Sequence, residues 1–285
     1  MKISIVTPNY NYADYIGDTI RSVVTQDYPE IEHIIIDDGS TDRSAEVIEY
    51  WKKEYPDRIN STLQANAGQT PAINAGLRKV TGDIIGWINS DDIYEPHVLK
   101  RVADFFLRHP EIDIVYGNAK IVDANLNLIC CVRHLHFNYR MGAYLGFSRM
   151  VTSNAVFWRK QAMDRSGLLR EDLKWNMDGE FFSRLTYGAR LAHLPFPFAS
   201  FRNQPRAKTS DTRPEWKNIQ QHEVALELEG SFRQLPESRW MPSSFKRLVQ
   251  LYYKIRRIAA RLILFHYFRR WNETRCYKRS KALLT

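Results

Sequence analysis

Two pairs of adjacent carboxylates, Asp37-Asp38 and Asp91-Asp92, stand directly behind runs of β-branched and apolar residues. The first run, Ile34-Ile35-Ile36, leads into Asp37-Asp38-Gly39-Ser40. The second, Ile84-Ile85-Gly86-Trp87-Ile88, leads through Asn89-Ser90 into Asp91-Asp92. Short apolar runs bounded by turn chemistry read as buried strands. A carboxylate pair at the C-terminal end of such a strand is costly unless something positive binds it. In an open α/β sheet that end is also where ligands bind. Either pair alone reads equally well as solvated turn aspartates before Gly or Ser. Both on one rim point to a divalent metal and a nucleotide.

The elements that must hold these residues alternate as a parallel sheet requires. Strands are predicted over Lys2–Thr7, Glu32–Asp37, Ile59–Gln64, Asp83–Ile88 and Asp113–Tyr116. Helices are predicted between them over Ala13–Gln26, Ser44–Lys53, Gln69–Val80 and Pro96–Arg108. The first helix presents Ile16, Ile20, Val23 and Val24 on one face, and Thr41 or Asp42 suits the cap of the second. This interleaving is the doubly wound α/β signature, and right-handed crossovers place the strand C-termini on one edge. After Gly117 the pattern changes. Ala119–Asp123 and Leu128–Val132 flank a predicted hairpin turn, Ser153–Arg159 alternates as a strand, Gly179–Thr186 reads as a helix, and Arg190–Leu194 and Phe198–Arg202 read as strands. The expected organisation is one domain over 1–242, with a nucleotide-binding half (1–117) and an acceptor-side half (118–242), followed by a tail over 243–285.

Composition supports a full core, with 44% hydrophobic residues. Cys130 and Cys131 are adjacent and Cys276 is distant, which offers neither a disulfide framework nor metal-ligand spacing and suits a reducing compartment. The apolar start stops at Thr7-Pro8, unlike a signal peptide, and no apolar stretch reaches spanning length. The expected location is cytoplasmic, peripheral on the cytosolic face of a membrane.

The charge is uneven. Residues 243–285 hold 12 lysines and arginines against one acid, Glu273, a net of +11, and leave −2 on residues 1–242. From Phe245 to Trp271, Leu248, Val249, Tyr252, Ile255, Ala259, Leu262, Ile263 and His266 recur at helical spacing between basic flanks, with Phe265, Tyr267, Phe268 and Trp271 near the end. A basic amphipathic helix of this kind reads as an anchor on an anionic membrane surface. The alternative is a helix that packs its stripe on the domain or on a second subunit. Nucleic acid, which also binds lysine and arginine, is the least favoured partner.

The segment after the first strand, Thr7-Pro8-Asn9-Tyr10-Asn11, lacks the glycine fingerprint of dinucleotide oxidoreductases, and the chain has no Walker lysine motif. Taken in order, Ser4-Ile5-Val6-Thr7-Pro8-Asn9-Tyr10-Asn11, Ile36-Asp37-Asp38-Gly39-Ser40-Thr41-Asp42, Asn66-Ala67-Gly68-Gln69, Ala72-Ile73-Asn74-Ala75-Gly76, Thr81-Gly82-Asp83 and Asn89-Ser90-Asp91-Asp92 resemble the family 2 glycosyltransferases of the GT-A fold. The resemblance covers residues 2–118 and resumes around Trp175–Leu185. It implies a nucleotide site made by Thr7, Pro8, Asn9, Asp38, Asn66, Gly68 and Asp91, with Thr7 and Asp38 at the base and Asp91 at the ribose. It further implies a Mg²⁺ or Mn²⁺ held by Asp92 against the diphosphate, chemistry that suits a hard cation. Asn89 stands where close relatives often have Asp.

The second element, Asn176-Met177-Asp178-Gly179-Glu180 through Arg184-Leu185, is similar to the family's base motif, with Met177 in place of the usual preceding acid. Asp178 fits the general base, which an acceptor hydroxyl needs to lose its proton. Glu180 is the rival, and Asp178 could equally cap the helix that follows. Arg202, Arg206 and Lys208 could clamp the diphosphate or form a solvated basic loop. His193, beside Pro195, reads as structural. The expected activity is inverting transfer of a sugar, expected to be UDP-linked, from a nucleoside-diphosphate donor to a hydroxyl of a lipid-linked or polysaccharide acceptor. The rival readings are a sugar nucleotidyltransferase, whose glycine-rich loop with Arg and Lys is missing, and a non-catalytic module that binds nucleotide or membrane.

Overall fold

The structure, a computed structural model, describes residues 1–134, 136–145, 152–205, 207 and 214–263. Strands β1 (Ile3–Asn9), β2 (Ile31–Asp37), β3 (Ile59–Leu63) and β4 (Ile84–Trp87) alternate with helices α1 (Ala13–Val24), α2 (Ser44–Glu54) and α3 (Gln69–Leu77). All four strands pair in parallel, in the order β3-β2-β1-β4. Their side chains explain the parallel arrangement. Every residue of β1 is buried, as a strand covered by helices on both faces demands.

Beyond β4 come β5 (Ile93–Tyr94), α4 (Val98–Arg108), β6 (Ile114–Val122), β7 (Leu128–Val132), α5 (Tyr139–Leu145), β8 (Val156–Arg159), α6 (Lys160–Ser166), α7 (Met177–Thr186), β9 (Leu191–Arg202), α8 (Pro214–Arg233) and α9 (Ser243–Ile263). The sheet continues from β4 through β8, β6 and β9 to β5, and β7 pairs with β6. β8 lies antiparallel to both β4 and β6, so β6 runs in the direction of β4, and β9 is parallel to β6. Six strands thus point one way, and the sheet is mostly parallel within a mixed α/β fold.

Three apolar clusters hold the layers. α1 and α2 bury Ile16, Ile20, Val24 and Ile48 against Ile35 and Ile59 of the sheet. α4 packs Val98, Leu99, Val102 and Phe106 with Ile3, Ile84 and Phe157. α3, α6 and α7 place Ile73, Leu77, Met163 and Phe181 against Val6, Trp87 and Trp158. The four α1 residues expected to share a face, Ile16, Ile20, Val23 and Val24, are all buried.

Several boundaries differ from the sequence reading. β6 runs unbroken from Ile114 to Val122, so the two strands predicted on either side of Gly117 are one, and the half-domain boundary at 117 falls inside it. The two predicted strands around Pro195 and Pro197 are likewise one strand, β9, whose pairing to β6 slips between Gly117 and Ala119. Proline has no N–H to donate to a ladder, and the slip accommodates the interruption. Residues 153–155 form a 3-10 turn before β8. Helix α8 was not expected at all. Asp42 does not cap α2 by side-chain capping of its N-cap, which is Arg43. Instead it ties two helix starts together, accepting from Ser44 N at 2.9 Å and Ala13 N at 3.0 Å.

Candidate active site

The rim at the ends of β1, β2 and β4 is held by side-chain hydrogen bonds between segments distant in sequence. The turn after β4 is pinned from two sides. Thr19 of α1 donates to the carbonyls of Ser90 and Asp92 at 2.9 and 2.7 Å, and Ser90 Oγ donates to the carbonyl of Pro8. β5 then lays Ile93 and Tyr94 on Ser200 and Ala199 of β9, which brings the end of β9 to the carboxylate pair.

The pair is tightly held there. Asp92 is 1% exposed. Its Oδ1 accepts from Arg202 N at 2.9 Å and its Oδ2 from Asn154 Nδ2 at 3.0 Å. Asp91, at 9% exposure, is the more accessible of the two, and Gln204 Nε2 donates to its Oδ2 at 3.1 Å. The same Gln204 nitrogen lies 3.4 Å from Tyr12 Oη. Burial raises the carboxyl of Asp91 above its ordinary range, against the lowering bond from Gln204. Asp92 is pushed well above it, by burial first and then by the charge of Asp91. Burial also raises the phenol of Tyr12, with Asp91 adding to it. A pair that is buried, adjacent and mutually repelling favours a bound cation. No cluster of three or more acidic, histidine or cysteine ligands exists among the described residues. The residues therefore fit a cation that takes its other ligands from a phosphate-bearing partner, as Mg²⁺ and Mn²⁺ do.

The β2 pair divides its work. Asp37 Oδ1 holds its own turn, accepting from Asn9 Nδ2 and Ser40 N, both at 3.3 Å. Asp38, 2% exposed, reaches across to the loop after β3 and accepts from Gln64 Nε2 at 2.7 Å, Ala67 N at 2.9 Å and Gly68 N at 2.8 Å. Gly39 makes that approach feasible, because its φ is +76° and a Cβ there would meet Asn66 N at 2.9 Å. Asn66 is exposed on this loop and Gly68 half-buried. Thr7 is fully buried, and its Oγ1 lies 2.9 Å from His33 Nε2. Pro8 and Asn9 are buried beside it, and Tyr10, 45% exposed, follows them on the rim.

On the second candidate element, Asn176 is the N-cap of α7, and Asp178 lies in the first helical turn, half-buried. Asn176 holds the N-cap position without a side-chain cap bond, and Asp178 Oδ1 accepts from Gly179 N at 2.9 Å within the first turn, so the capping alternative stays beside the catalytic one. Glu180 is committed elsewhere: Arg184 Nε and Nη2 donate to its two oxygens at 2.7 and 2.8 Å. Both oxygens of this carboxylate are thus occupied by one guanidinium. Arg202 does not reach out as a clamp. It is 2% exposed, bonded through Nη2 to Asp18 at 2.9 Å and stacked 4.9 Å over the Tyr15 ring. Arg206 and Lys208 lie outside the described residues. His193 stacks on Tyr116 with ring centroids 5.0 Å apart and bonds Asn118, a structural position. Sequence reasoning missed Asn154, Gln204 and Tyr12, which carry no motif and matter only because β5 and β9 bring them together.

The family model for glycosyl transferase family 2 matches residues 4–168, which hold both carboxylate pairs and Asn154 of this rim. The chain belongs to that family. An uncharacterized glycosyltransferase of Nostoc sp. is 41% identical over 131 residues, covering 43% of this chain and 40% of that protein. The minor teichoic acid biosynthesis protein GgaA of Bacillus subtilis is 30% identical over 203 residues, covering 64% of this chain and 42% of its own length. The chain thus spans about two fifths of these family relatives. Among solved structures, S. aureus TarS 1-349 in complex with UDP-GlcNAc superposes with a TM-score of 0.66 at 19% identity, over 89% of this chain and 71% of that one. The mannosyltransferase PcManGT from Pyrobaculum calidifontis, in complex with GDP-Man and Mn²⁺, gives 0.57 at 16% identity, over 99% and 86%. These likenesses show the GT-A fold that family 2 shares.

Proposed function

We propose that the protein is an inverting glycosyltransferase that moves a sugar from a nucleoside diphosphate, UDP by preference, to a hydroxyl of a cell-surface glycan or its lipid-linked precursor. The observation that carries this reading is the buried Asp91-Asp92 pair, raised in pKa and locked between the ends of β4 and β9. Family membership supports the reaction class. The UDP-GlcNAc complex of TarS and the part of GgaA in minor teichoic acid biosynthesis support the donor and acceptor classes.

In this mechanism Asp38, Asn66, Gly68 and the Thr7–Asn9 segment form the nucleotide side. Thr7 and Asp38 act chiefly by fixing backbone, because their side chains are engaged with His33 and with the loop after β3. Asp92, oriented by Asn154 and Arg202, would hold Mg²⁺ or Mn²⁺, and Asp91, the more accessible carboxylate, would stand at the ribose and add its charge beside the cation. When bound, such an ion offsets the negative charge that builds on the departing diphosphate. Asp178 takes the proton of the acceptor hydroxyl as that oxygen attacks the sugar's anomeric carbon, and displacement from the face opposite the diphosphate inverts the centre. Glu180 supports α7 through Arg184 instead. Arg206 and Lys208 keep the clamp role proposed for them on sequence grounds, and Arg202, enclosed by Asp18 and the Tyr15 ring, is left out of it.

The protein also fits the surface of an anionic membrane through α9. Half-buried Gln250 and Tyr253 dock this helix on α5, with Gln250 Nε2 3.1 Å from the Tyr144 carbonyl and the Tyr253 and Tyr144 rings 5.5 Å apart. The opposite side leaves Phe245, Leu248, Leu251, Tyr252, Ile255 and Ile258 between 46% and 61% exposed. No helix among the described residues is long and apolar enough to cross a membrane. An apolar face flanked by lysine and arginine suits the interface of an anionic bilayer.

Transfer from a radiolabelled UDP-sugar panel, after a thermal-shift screen with Mn²⁺, tests the activity. Transfer should stop in excess EDTA. Asp178→Asn should keep donor binding and lose about two to four powers of ten in turnover, while Glu180→Gln should lose far less. Full transfer in EDTA removes the metal role, and the reverse mutant order reassigns the base. Donor binding with no transfer to any acceptor would favour the binding module.

A further inference from the structure

The segment that the family match leaves out, beyond residue 168, holds a carboxylate with an informative set of partners. Glu223 lies in the middle of α8 and is 6% exposed. Its Oε1 accepts from Lys174 N at 2.7 Å, and its Oε2 accepts from Trp175 N at 2.8 Å and Asn176 N at 2.7 Å. Three successive backbone amides therefore converge on one buried side chain. They form the turn that enters α7, whose first helical turn carries Asp178.

The rest of the α7–α8 contact reinforces that grip. Asn176, the N-cap, makes no side-chain cap bond, and its side-chain amide donates to Glu227 of α8. Ser183 and Ser231 are hydrogen-bonded across the two helices. Gly179 permits the close approach, since a Cβ there would meet Asn176 Oδ1 at 2.6 Å and Glu227 Oε2 at 3.0 Å. The buried side of α8 is thus Glu223, Glu227 and Ser231, spaced four residues apart, a polar stripe in place of the apolar one that normally docks a surface helix. Such a contact is directional. Hydrogen bonds to an ionised carboxylate are short and fix geometry, and a negative group at a helix N-terminus is favoured by the helix dipole.

We propose that Glu223 is the positioning residue for the acceptor-activating base: by gathering the amides of residues 174–176 it sets the start of α7 and hence the placement of Asp178. This rests on the reading of Asp178 as base given above. Small errors in the position of a reacting group cost large factors in rate, so the effect falls on turnover and leaves donor binding alone. An amide at position 223 keeps size but turns one acceptor atom into a donor that faces backbone N–H groups.

The test is Glu223→Gln in the full chain, with transfer kinetics, donor KM and hydrogen exchange followed together. The expected result is a fall in kcat of about 10- to 100-fold with donor KM unchanged, and faster amide exchange confined to peptides spanning 174–180. In an Asp178→Asn background the same substitution should change the residual rate less than about twofold, because the group it positions is already gone. Unchanged kcat in folded Glu223→Gln overturns the proposal, as do losses that multiply in the double variant. If Glu223→Gln does not fold, Glu223→Asp keeps the charge but shortens the reach, and the same criteria apply. Full turnover in Asp178→Asn alone is a distinct result, which removes the base assignment and with it the proposal's premise.

Discussion

At the scale of single residues, the sequence reveals types and the fold decides their duties. The buried rim positions of Asp38, Asp91 and Asp92 were legible because acids behind apolar runs mark strand ends, and two such pairs on one rim are costly to bury without partners. Gln204 was not, since its bond to Asp91 spans 113 positions of chain and a lone glutamine in a loop has no pattern. Arg202 misled for a related reason. A basic residue after a strand looks solvated or catalytic, yet Asp18 and the Tyr15 ring enclose it. His33 shows how one buried residue writes itself into stability. Desolvation lowers its pKa from 6.5 to about 3, so the folded protein keeps it neutral where the unfolded chain would protonate it. Its contribution is intact above pH 6.5 and is lost as pH falls from there toward 3, by up to about 1.4 kcal/mol per pH unit. Urea unfolding at pH 7 and pH 5 should register this loss, and His33→Gln should flatten the difference. Equal pH slopes in both proteins would exclude His33 as the source.

At the scale of elements, the parallel half was readable because period and turn chemistry agree along it, from Ile3 to Trp87. The later half was harder. β6 and β9 each read as two segments, one interrupted by glycine and the other by prolines, and only their mutual pairing makes them continuous. α8 escaped notice because it docks by carboxylates and a serine, so its apolar residues carry no helical period. Gly117 in β6 is a position where packing overrides strand propensity. A Cβ there would lie 2.0 Å from a ring carbon of Phe198, which is fully buried. Gly117→Ala should therefore cost about 1–3 kcal/mol by overpacking, read as a lower urea midpoint at unchanged slope. A midpoint equal to that of the native protein would mean that β9 yields freely at this point.

At the scale of the whole molecule, the charge division, +11 on residues 243–285 and −2 on the rest, was plain in the sequence, but the orientation of the tail helix was not. Periodicity finds an apolar stripe without saying whether it faces the domain. In the structure Leu248 and Ile255 face outward, at 61% and 58% exposure. Leu248→Glu with Ile255→Glu should thus leave thermal stability unchanged and abolish co-flotation with anionic vesicles. Native binding should be reversible and weaken with added salt, each basic residue giving at most roughly 1 kcal/mol. Loss of folding in that double variant would instead make the face part of a protein interface.

The place of β8 has a consequence for how the chain is made. It enters the sheet between β4 and β6, although β5, α4, β6, β7 and α5 all precede it in sequence. While the polypeptide is being synthesised, β1 to β4 emerge with the outer edge of β4, Ile84–Trp87, still lacking its antiparallel neighbour. Bare edges of buried strands recruit other chains, and closure over long sequence separations is slow. A nascent chain stopped anywhere before Val156 carries an unfinished and adhesive sheet. The rim that the first half encodes is completed only when the second half has been made.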